Sequence, residues 1–257
     1  MIDLSEVSGL PIKFDDETGK FVLSDELYCE SECQVRLSEI IPVLLNKYLK
    51  YPEVVYSQHK NIFYRGIDEP PKTSYDLFYV PYGLLGIEYI KTHVYFSELI
   101  EGKYACIVEV LSGELTVILQ KNLDRENDYQ YDTYVEDLSI LILKKSHKLV
   151  IPTGYFYTFI NTGSHPLVFS KVSATAAKTI DYEILKREKG LACYVISKNA
   201  KIETVANPKY KVPHKLKPAS MSSYVDKKVE DGFIRDMFKN KKPLFAYINK
   251  LDRNFIA

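Results

Sequence analysis

Short runs of β-branched and aromatic residues alternate with turn-forming residues along the middle of the chain, between about residues 75 and 172. Many short apolar runs at this spacing predict an antiparallel β-sandwich or β-barrel. One turn, Ser112-Gly113-Glu114, lies between two such runs and predicts a hairpin. The runs are Val80–Tyr82, Glu88–Phe96, Tyr104–Leu111, Leu115–Gln120, Leu138–Leu143, Lys148–Ile151, Thr158–Asn161 and Leu167–Val172.

Apolar residues follow a helical spacing before this region. In Arg36–Tyr48 they recur at intervals of three and four residues, which predicts a helix. Pro42 lies inside the segment, and proline has no N–H to donate to a helix, so the helix is either kinked or begins near Pro42. Pro70-Pro71 then predicts an extended connection into the β region.

The charge of the chain changes after Pro213. Residues 214–257 hold ten Lys or Arg against five Asp or Glu, whereas the whole chain is neutral. Ser222 and Ser223 stand where they would cap a first amphipathic helix, and Pro243 where it would begin a second. Two interpretations stay open: a contact surface for a partner, or two helices that pack on the β region with a solvated basic face.

Composition adds limits to the function. A chain of 257 residues with 46% hydrophobic residues and zero formal charge is typical of a soluble globular protein that does not attract nucleic acid through its net charge. No apolar run approaches the ~20 residues of a membrane span, and no signal peptide is visible, so we expect no membrane partner and a cytoplasmic location. Abundant Lys, Glu and Tyr without Trp are compatible with a thermophile. The four cysteines include no CxxC pair and so predict neither a zinc ribbon nor a redox motif.

One motif identifies the β region more closely. Pro152, Gly154 and Asn161 fit the pattern P-x-G-x-x-H-x-x-x-N, with Tyr157 in place of the histidine. This pattern resembles the second signature motif of the cupin barrel. We therefore predict a mainly β protein with a cupin (double-stranded β-helix, or jelly-roll) barrel, an N-terminal arm and helix, and a helical C-terminal extension. The expected domains are residues 1–213, with the barrel core at about 75–172, and the extension at 214–257.

The order of shorter matches resembles one cupin family, the archaeal-type glucose-6-phosphate isomerases. The resemblance extends from about residue 10 to residue 211, and it implies a sugar-phosphate isomerase, a homodimer and a divalent metal such as Fe or Mn. The matching segments are Arg36-Leu37-Ser38, Gly86-Ile87-Glu88 with Thr92, Val110–Gly113 with Ile118–Gln120, Asp181-Tyr182, Lys189-Gly190, and Val205 with Asn207-Pro208.

The family's metal ligands are replaced in this chain. Its H-x-H pair falls on Tyr95 and Ser97, its glutamate on Cys106 and its last histidine on Tyr157. A Lewis acid stabilises the charge that develops during aldose–ketose isomerisation, and the family uses imidazoles and a carboxylate to hold it. Phenols, a thiol and a serine hydroxyl predict that no metal is bound here. The new side chains either fill the vacated cavity or bind a ligand through their hydroxyl groups.

Other polar residues are candidates for ligand binding. Thr92 matches a residue of the family and is a candidate phosphate contact. If the strand Glu88–Phe96 is regular, Lys91 and His93 share a face with Tyr95, and the two could bind a phosphate or carboxylate. A β-bulge would instead send Lys91 to solvent.

Three functions follow from these observations. The favoured one is a divergent, metal-free member of the isomerase family that binds a small anionic ligand or sugar phosphate, or nothing, without the family's metal-dependent activity. The second is an active isomerase that uses Glu88, His93 or Glu109 as a metal-independent base. The third is a structural or protein-interaction module that works through residues 214–257.

Overall fold

The computed structural model describes residues 1–66, 73–96, 106–123, 133–152, 154–174 and 182–212. The predicted helical extension at 214–257, the Pro70-Pro71 connection and Ser97 lie outside these residues. The described part is mainly β, as predicted. None of its helices has the length and apolar character needed to cross a membrane.

Strands account for most of the regular structure in the described residues. They are β1 Ile2–Asp3, β2 Ile12–Asp15, β3 Lys20–Leu23, β4 Leu27–Arg36, β5 Val54–Tyr64, β6 Thr73–Val80, β7 Leu84–Leu85, β8 Glu88–Tyr89, β9 Tyr95–Phe96, β10 Cys106–Ser112, β11 Glu114–Asn122, β12 Val135–Lys144, β13 Lys148–Ile151, β14 Phe156–Ile160, β15 Leu167–Ala174, β16 Cys193–Lys198 and β17 Lys201–Ala206. The helices are α1 Ser5–Ser8, α2 Leu37–Ile40 and α3 Tyr182–Arg187, with a 3₁₀ turn at Ile41–Val43.

Two antiparallel sheets pack face to face around the main core. One has six strands in the order β13-β10-β15-β6-β5-β4, and the other has four in the order β12-β11-β14-β9. Val108, Phe78 and Phe169 from the first sheet meet Val117 and Phe159 from the second. Because neighbouring residues of a strand point to opposite faces, each strand of the six-stranded sheet also has a second face.

That second face of the six-stranded sheet carries a separate core. Ile107 and Leu111 of β10 pack there with Phe14 and Phe21 of the N-terminal sheet, which has the order β1-β2-β3. The six-stranded sheet is thus covered on both faces in its centre, which explains why β10 is apolar at almost every position. A further sheet, in the order β17-β16-β8-β7, lies beside the main core.

The predicted hairpin at Ser112-Gly113-Glu114 is wrong. β10 pairs with β13 and β15, whereas β11 pairs with β12 and β14, so the turn carries the chain from one sheet to the other. Gly113 has φ 87°, and a Cβ there would lie 2.7 Å from the carbonyl oxygen of Pro166. A glycine is required at this position, but the reason is a close approach between two backbones and not a hairpin turn.

The predicted helix at Arg36–Tyr48 forms only in part. Glu39 caps its start by accepting the backbone N–H of Arg36 at 2.8 Å, and helical structure then ends at Val43. The ammonium of Lys47 donates to the carbonyl oxygens of Ile41 and Pro42, at 3.0 and 2.6 Å. In a longer helix these carbonyl oxygens would accept backbone N–H groups of the next turn. The apolar spacing therefore overestimates the helix, because the chain after Val43 bends and forms no further helical turn.

The surviving motif residue Asn161 joins its own loop to the end of β6 through three hydrogen bonds, and this gives the first testable prediction. Its fully buried side chain donates to the carbonyl oxygens of Val80 and His165, at 3.0 and 2.9 Å, and accepts the N–H of Gly163 at 3.0 Å. We expect Asn161→Ala to lower the free energy of unfolding by about 3 kcal/mol, because it leaves buried backbone groups without partners. Urea denaturation measures this.

Asn46→Ala is the matched control, because the Asn46 side chain is exposed and accepts one local N–H from Tyr48. We expect it to cost less than about 1 kcal/mol. An equal loss of stability in the two variants would contradict a structural role for Asn161.

Candidate functional site

The described positions that correspond to the family's metal ligands come together inside the main core. Tyr95 of β9 is the register partner of Tyr157 of β14, and their rings stack with centroids 5.6 Å apart and planes at 28°. The hydroxyl of Tyr157 is hydrogen-bonded to the thiol of Cys106 on β10. Three side chains far apart in sequence thus form one cluster. Ser97, the fourth position, lies outside the described residues.

Aromatic rings pack around this cluster. Phe159 packs against both tyrosines, at 5.9 Å from Tyr95 and 5.4 Å from Tyr157, and Phe78 meets Tyr95 edge to face at 6.2 Å. Tyr157 is only 2% exposed. Burial raises the pKa of the Tyr95 and Tyr157 phenols well above its ordinary value and raises the pKa of the Cys106 thiol to about 11. All three groups are therefore protonated at neutral pH.

A lysine lies at the centre of the cluster, and sequence reasoning missed it. Lys171 of β15 places its ammonium 4.8 Å from the ring centroid of Tyr95 and 5.8 Å from that of Phe78. Its counter-ion is Asp76, its register partner on β6, at 3.9 Å. That distance exceeds hydrogen-bond length, and the ammonium makes no hydrogen bond to any residue in the described part of the chain. Lys171 is therefore a buried cation held by one long ion pair and two aromatic faces.

Asp76 has a full set of partners, in contrast to Lys171. Its carboxylate accepts the side-chain amide of Gln58 at 3.1 Å, the backbone N–H of Asn61 at 3.0 Å and the hydroxyl of Ser74. In the sequence, Asp76 and Lys171 are each one charged residue among apolar neighbours in a β-prone run. Their ion pair could not be predicted from this, because it depends on the pairing of β6 with β15.

His93 joins the cluster through Tyr56, another residue that the sequence did not single out. The Tyr56 hydroxyl is 2.8 Å from His93 Nδ1 and 2.9 Å from the Tyr95 hydroxyl. Tyr182 contacts the His93 ring edge to face at 5.5 Å. Burial lowers the pKa of His93, so its imidazole is neutral at neutral pH. A neutral imidazole, three phenols and an ammonium therefore share this part of the core.

Lys91 does not face the same partners as His93, and the expected regular strand is wrong. The segment Glu88–Phe96 is divided into β8 and β9, with Lys91 in an isolated bridge to Ile160 between them. Lys91 donates to Glu88 at 2.7 Å and to the carbonyl oxygen of Val43 at 3.0 Å, while Glu88 accepts the N–H of Leu45. Glu88 and Lys91, both candidate site residues, therefore hold the segment after α2 against the barrel through hydrogen bonds to its backbone. Lys91 is buried, so it does not reach solvent either.

Thr92 and Glu109 also have their polar groups engaged elsewhere. The Thr92 hydroxyl donates to the carbonyl oxygen of His93 at 2.9 Å and accepts the N–H of Phe159 at 3.1 Å, in a fully buried position. Glu109 faces the second core, on the same side of β10 as Ile107, and forms an ion pair with Lys148 at 3.0 Å. Neither residue contributes to the cluster around Tyr95 and Tyr157.

The donor set of the cluster does not fit a divalent metal. Metal binding requires deprotonated or neutral lone-pair donors, and burial keeps the thiol and the phenols protonated. The Lys171 ammonium beside them adds a repulsive positive charge. Within the described ranges, no group of three or more His, Cys, Asp or Glu residues is arranged to hold a metal.

Comparison with known proteins identifies one family. A family model described as glucose-6-phosphate isomerase matches residues 52–211. This range includes all the residues of the cluster and its neighbours: Tyr56, Asp76, His93, Tyr95, Cys106, Tyr157 and Lys171. A search of curated proteins finds no match.

Solved structures resemble the chain over part of its length. Peruvianin-I, a cysteine peptidase from Thevetia peruviana latex, is 13% identical with a TM-score of 0.30 over 42% of this chain, which spans 55% of that protein. Oxalate decarboxylase from Bacillus subtilis is 9% identical with a TM-score of 0.34, over 49% of this chain and 27% of its own. Drosophila melanogaster CENP-C bound to CAL1 is 14% identical with a TM-score of 0.29, over 46% and 68%.

The ion pair of Glu88 and Lys91 gives the second prediction. Removal of one partner leaves the other charge buried and uncompensated, so we expect Glu88→Gln to cost about 3–5 kcal/mol of unfolding free energy. Lys91→Met in the same chain should recover part of this loss, because it removes the uncompensated ammonium. Equilibrium denaturation of the two single variants and the double variant measures the coupling.

Glu203→Gln is the control, because Glu203 and Lys198 form an exposed pair at 3.4 Å. Exposed pairs contribute little, so we expect a change below about 1 kcal/mol. A Glu88 variant that is as stable as the Glu203 variant would contradict the fastening role.

Proposed function

The chain belongs to the glucose-6-phosphate isomerase family, and we propose that it is a member whose cupin-type barrel works without a bound metal. In this proposal the barrel binds a small anionic ligand, such as a sugar phosphate, and lacks the family's metal-dependent isomerase activity. The homodimer, the cytoplasmic location and the helical extension at 214–257 stay predictions from the sequence.

One observation carries the proposal, namely the position of the Lys171 ammonium among side chains that replace the expected metal ligands. In the family a metal supplies positive charge to oxygen atoms of the substrate. A lysine also supplies positive charge, but as a point charge with three N–H donors and no capacity to coordinate two oxygens at once. Such a group supports binding of an anion and does not reproduce Lewis-acid catalysis.

The surroundings of Lys171 favour an anion as the ligand. Its three donors form no hydrogen bond within the described ranges, and its ion pair with Asp76 is long at 3.9 Å. A buried ammonium gains most from an oxygen anion that comes within hydrogen-bond distance, because charged hydrogen bonds in a low dielectric are strong.

A metal-independent isomerase is the alternative. Of the three residues considered as its general base, only His93 lies in the cluster. Glu88 and Glu109 are paired with lysines, at 2.7 and 3.0 Å, and point away from the cluster. His93 is neutral and hydrogen-bonded to Tyr56 within the cluster, so its Nδ1 or Nε2 could accept a proton. Sugar-phosphate turnover that is lost in His93→Gln and insensitive to chelators would favour this alternative.

The third prediction tests the metal-free proposal. We expect purified protein to contain no stoichiometric divalent metal by elemental analysis. We also expect no isomerisation of fructose 6-phosphate in a coupled assay, with or without added manganese or iron. Turnover that a chelator abolishes and that manganese or iron restores would contradict the proposal.

The fourth prediction tests the role of Lys171. We expect Lys171→Met to weaken the binding of fructose 6-phosphate, measured by calorimetry, by at least about tenfold, because a charged hydrogen bond contributes roughly 1.5–3 kcal/mol. Lys121→Met is the control, since the Lys121 ammonium is half-exposed and pairs with Glu136 at 2.9 Å. Equal affinity in the wild type and the Lys171 variant, with the variant folded, would exclude Lys171 as the anchor.

A further inference from the structure

Two lysine ammonium groups meet on the 3₁₀ turn that follows α2. Lys47 donates to the carbonyl oxygens of Ile41 and Pro42, at 3.0 and 2.6 Å. Lys91 donates to the carbonyl oxygen of the next residue, Val43, at 3.0 Å. Because the three acceptors belong to consecutive residues, the two positive charges lie close together and repel each other.

Positive charge is in excess around this turn. The carboxylate of Glu88 pairs with Lys91 at 2.7 Å, whereas Lys47 forms no ion pair with any residue that the structure describes. A third lysine lies on the other side of the turn. Lys189 is exposed, and the glycine after it packs so closely that a Cβ there would lie 2.8 Å from the carbonyl oxygen of Val43. Three ammonium groups thus share one carboxylate.

This environment favours the neutral amine form of Lys47. Burial, followed by the charge of Lys91, lowers the pKa of the Lys47 ammonium to about 8, opposed by Glu88 and with a smaller contribution from Lys189. The direction follows from the charge, because burial and like charges both disfavour a cation. The side chain of Lys47 is also partly exposed, whereas that of Lys91 is buried. A reagent from solvent therefore reaches Lys47 and not Lys91.

The two hydrogen bonds of Lys47 fix the direction in which its neutral amine reacts. An ammonium group has three N–H donors, and two of those of Lys47 point to the carbonyl oxygens of Ile41 and Pro42. After loss of the third proton the amine keeps both hydrogen bonds, and its lone pair takes the remaining direction, away from the two oxygens. An anion would find a single N–H at this position, so the arrangement suits a nucleophile better than an anion-binding site.

We propose that Lys47 is a site of reversible carbamate formation, at which its amine adds carbon dioxide. The nitrogen lone pair attacks the carbon of CO₂, one C–O π pair moves onto oxygen, and the nitrogen releases a proton to water, so that R–NH₂ and CO₂ give R–NH–COO⁻ and H⁺. The product places a negative charge beside Lys91 and Lys189, so repulsion becomes attraction. Its remaining N–H still donates to one carbonyl oxygen. This site does not depend on ligand binding in the barrel interior.

The test uses the full chain equilibrated with ¹³C-labelled carbon dioxide at a fixed partial pressure, from neutral to mildly alkaline pH. Carbamate is detected by ¹³C NMR, then esterified with a trialkyloxonium reagent and mapped by peptide mass spectrometry. Lys50, an exposed lysine three residues further on, is the internal control. We expect the modified fraction of Lys47 at neutral pH to exceed that of Lys50 by at least about tenfold, because only a neutral amine reacts and the turn favours that form at Lys47.

The mapped position of the adduct decides the outcome, because the α-amino group of Met1 also reacts with carbon dioxide. We expect the Lys47 adduct to increase with pH at fixed CO₂ pressure, since loss of the ammonium proton exposes the lone pair. Carbamate on Met1 alone, or as much on Lys50 as on Lys47, would overturn the proposal.

Two variants complete the test. Lys47→Arg keeps a cation with N–H donors but no amine, and we expect it to remove the lysine carbamate resonance. Lys189→Met removes a positive neighbour of the product, and we expect it to lower the modified fraction of Lys47 about two- to fivefold. Lys50→Met should leave that fraction unchanged. An equal fraction in the wild type and in Lys189→Met would overturn the proposal, and if Lys47→Arg does not fold, the wild-type map decides.

Discussion

A buried ammonium must be compensated for its lost hydration, and the interior of this barrel is arranged around that constraint at Lys171. The compensation comes from the Asp76 carboxylate at 3.9 Å and from the faces of Tyr95 and Phe78. Asp76 in turn is fixed by Gln58 and Asn61, which orient its charge towards β15. Tyr95 is fixed by Tyr56 and stacks on Tyr157, so the phenol cluster and the ion pair support each other. The side chains of Tyr95, Cys106 and Tyr157 and the internal cation are thus parts of one arrangement.

The sequence predicted features that depend on the local backbone better than features that depend on which strands pair. Asn161, a motif residue expected to turn the chain, hydrogen-bonds Gly163 and His165 of its own loop and ties that loop to Val80. Tyr95, Cys106 and Tyr157, from three separate parts of the sequence, lie together in the core. Gly113 was misread, because a glycine in a turn and a glycine in a close backbone contact look the same in a sequence.

Signals that depend on tertiary pairing were not readable in advance. Lys91 and Lys171 are both lysines within β-prone segments, and only Lys91 became a ligand-binding candidate, on the condition that its strand is regular. Lys91 instead faces Glu88 and Val43, because the strand is broken between β8 and β9. Lys171 enters the core because β15 pairs with β6 and sets it opposite Asp76. The same alternation sends His59 to the other face of β5, where its ring meets Phe21.

The central claim is that an ammonium, and not a metal, provides the positive charge inside this barrel. Crystals grown with excess manganese, measured at a wavelength where manganese scatters anomalously, test it most directly. We predict no anomalous peak among Tyr95, Cys106 and Tyr157, with the Lys171 ammonium against the Tyr95 ring. A manganese ion coordinated by these side chains, with Lys171 displaced from the ring, would contradict the account.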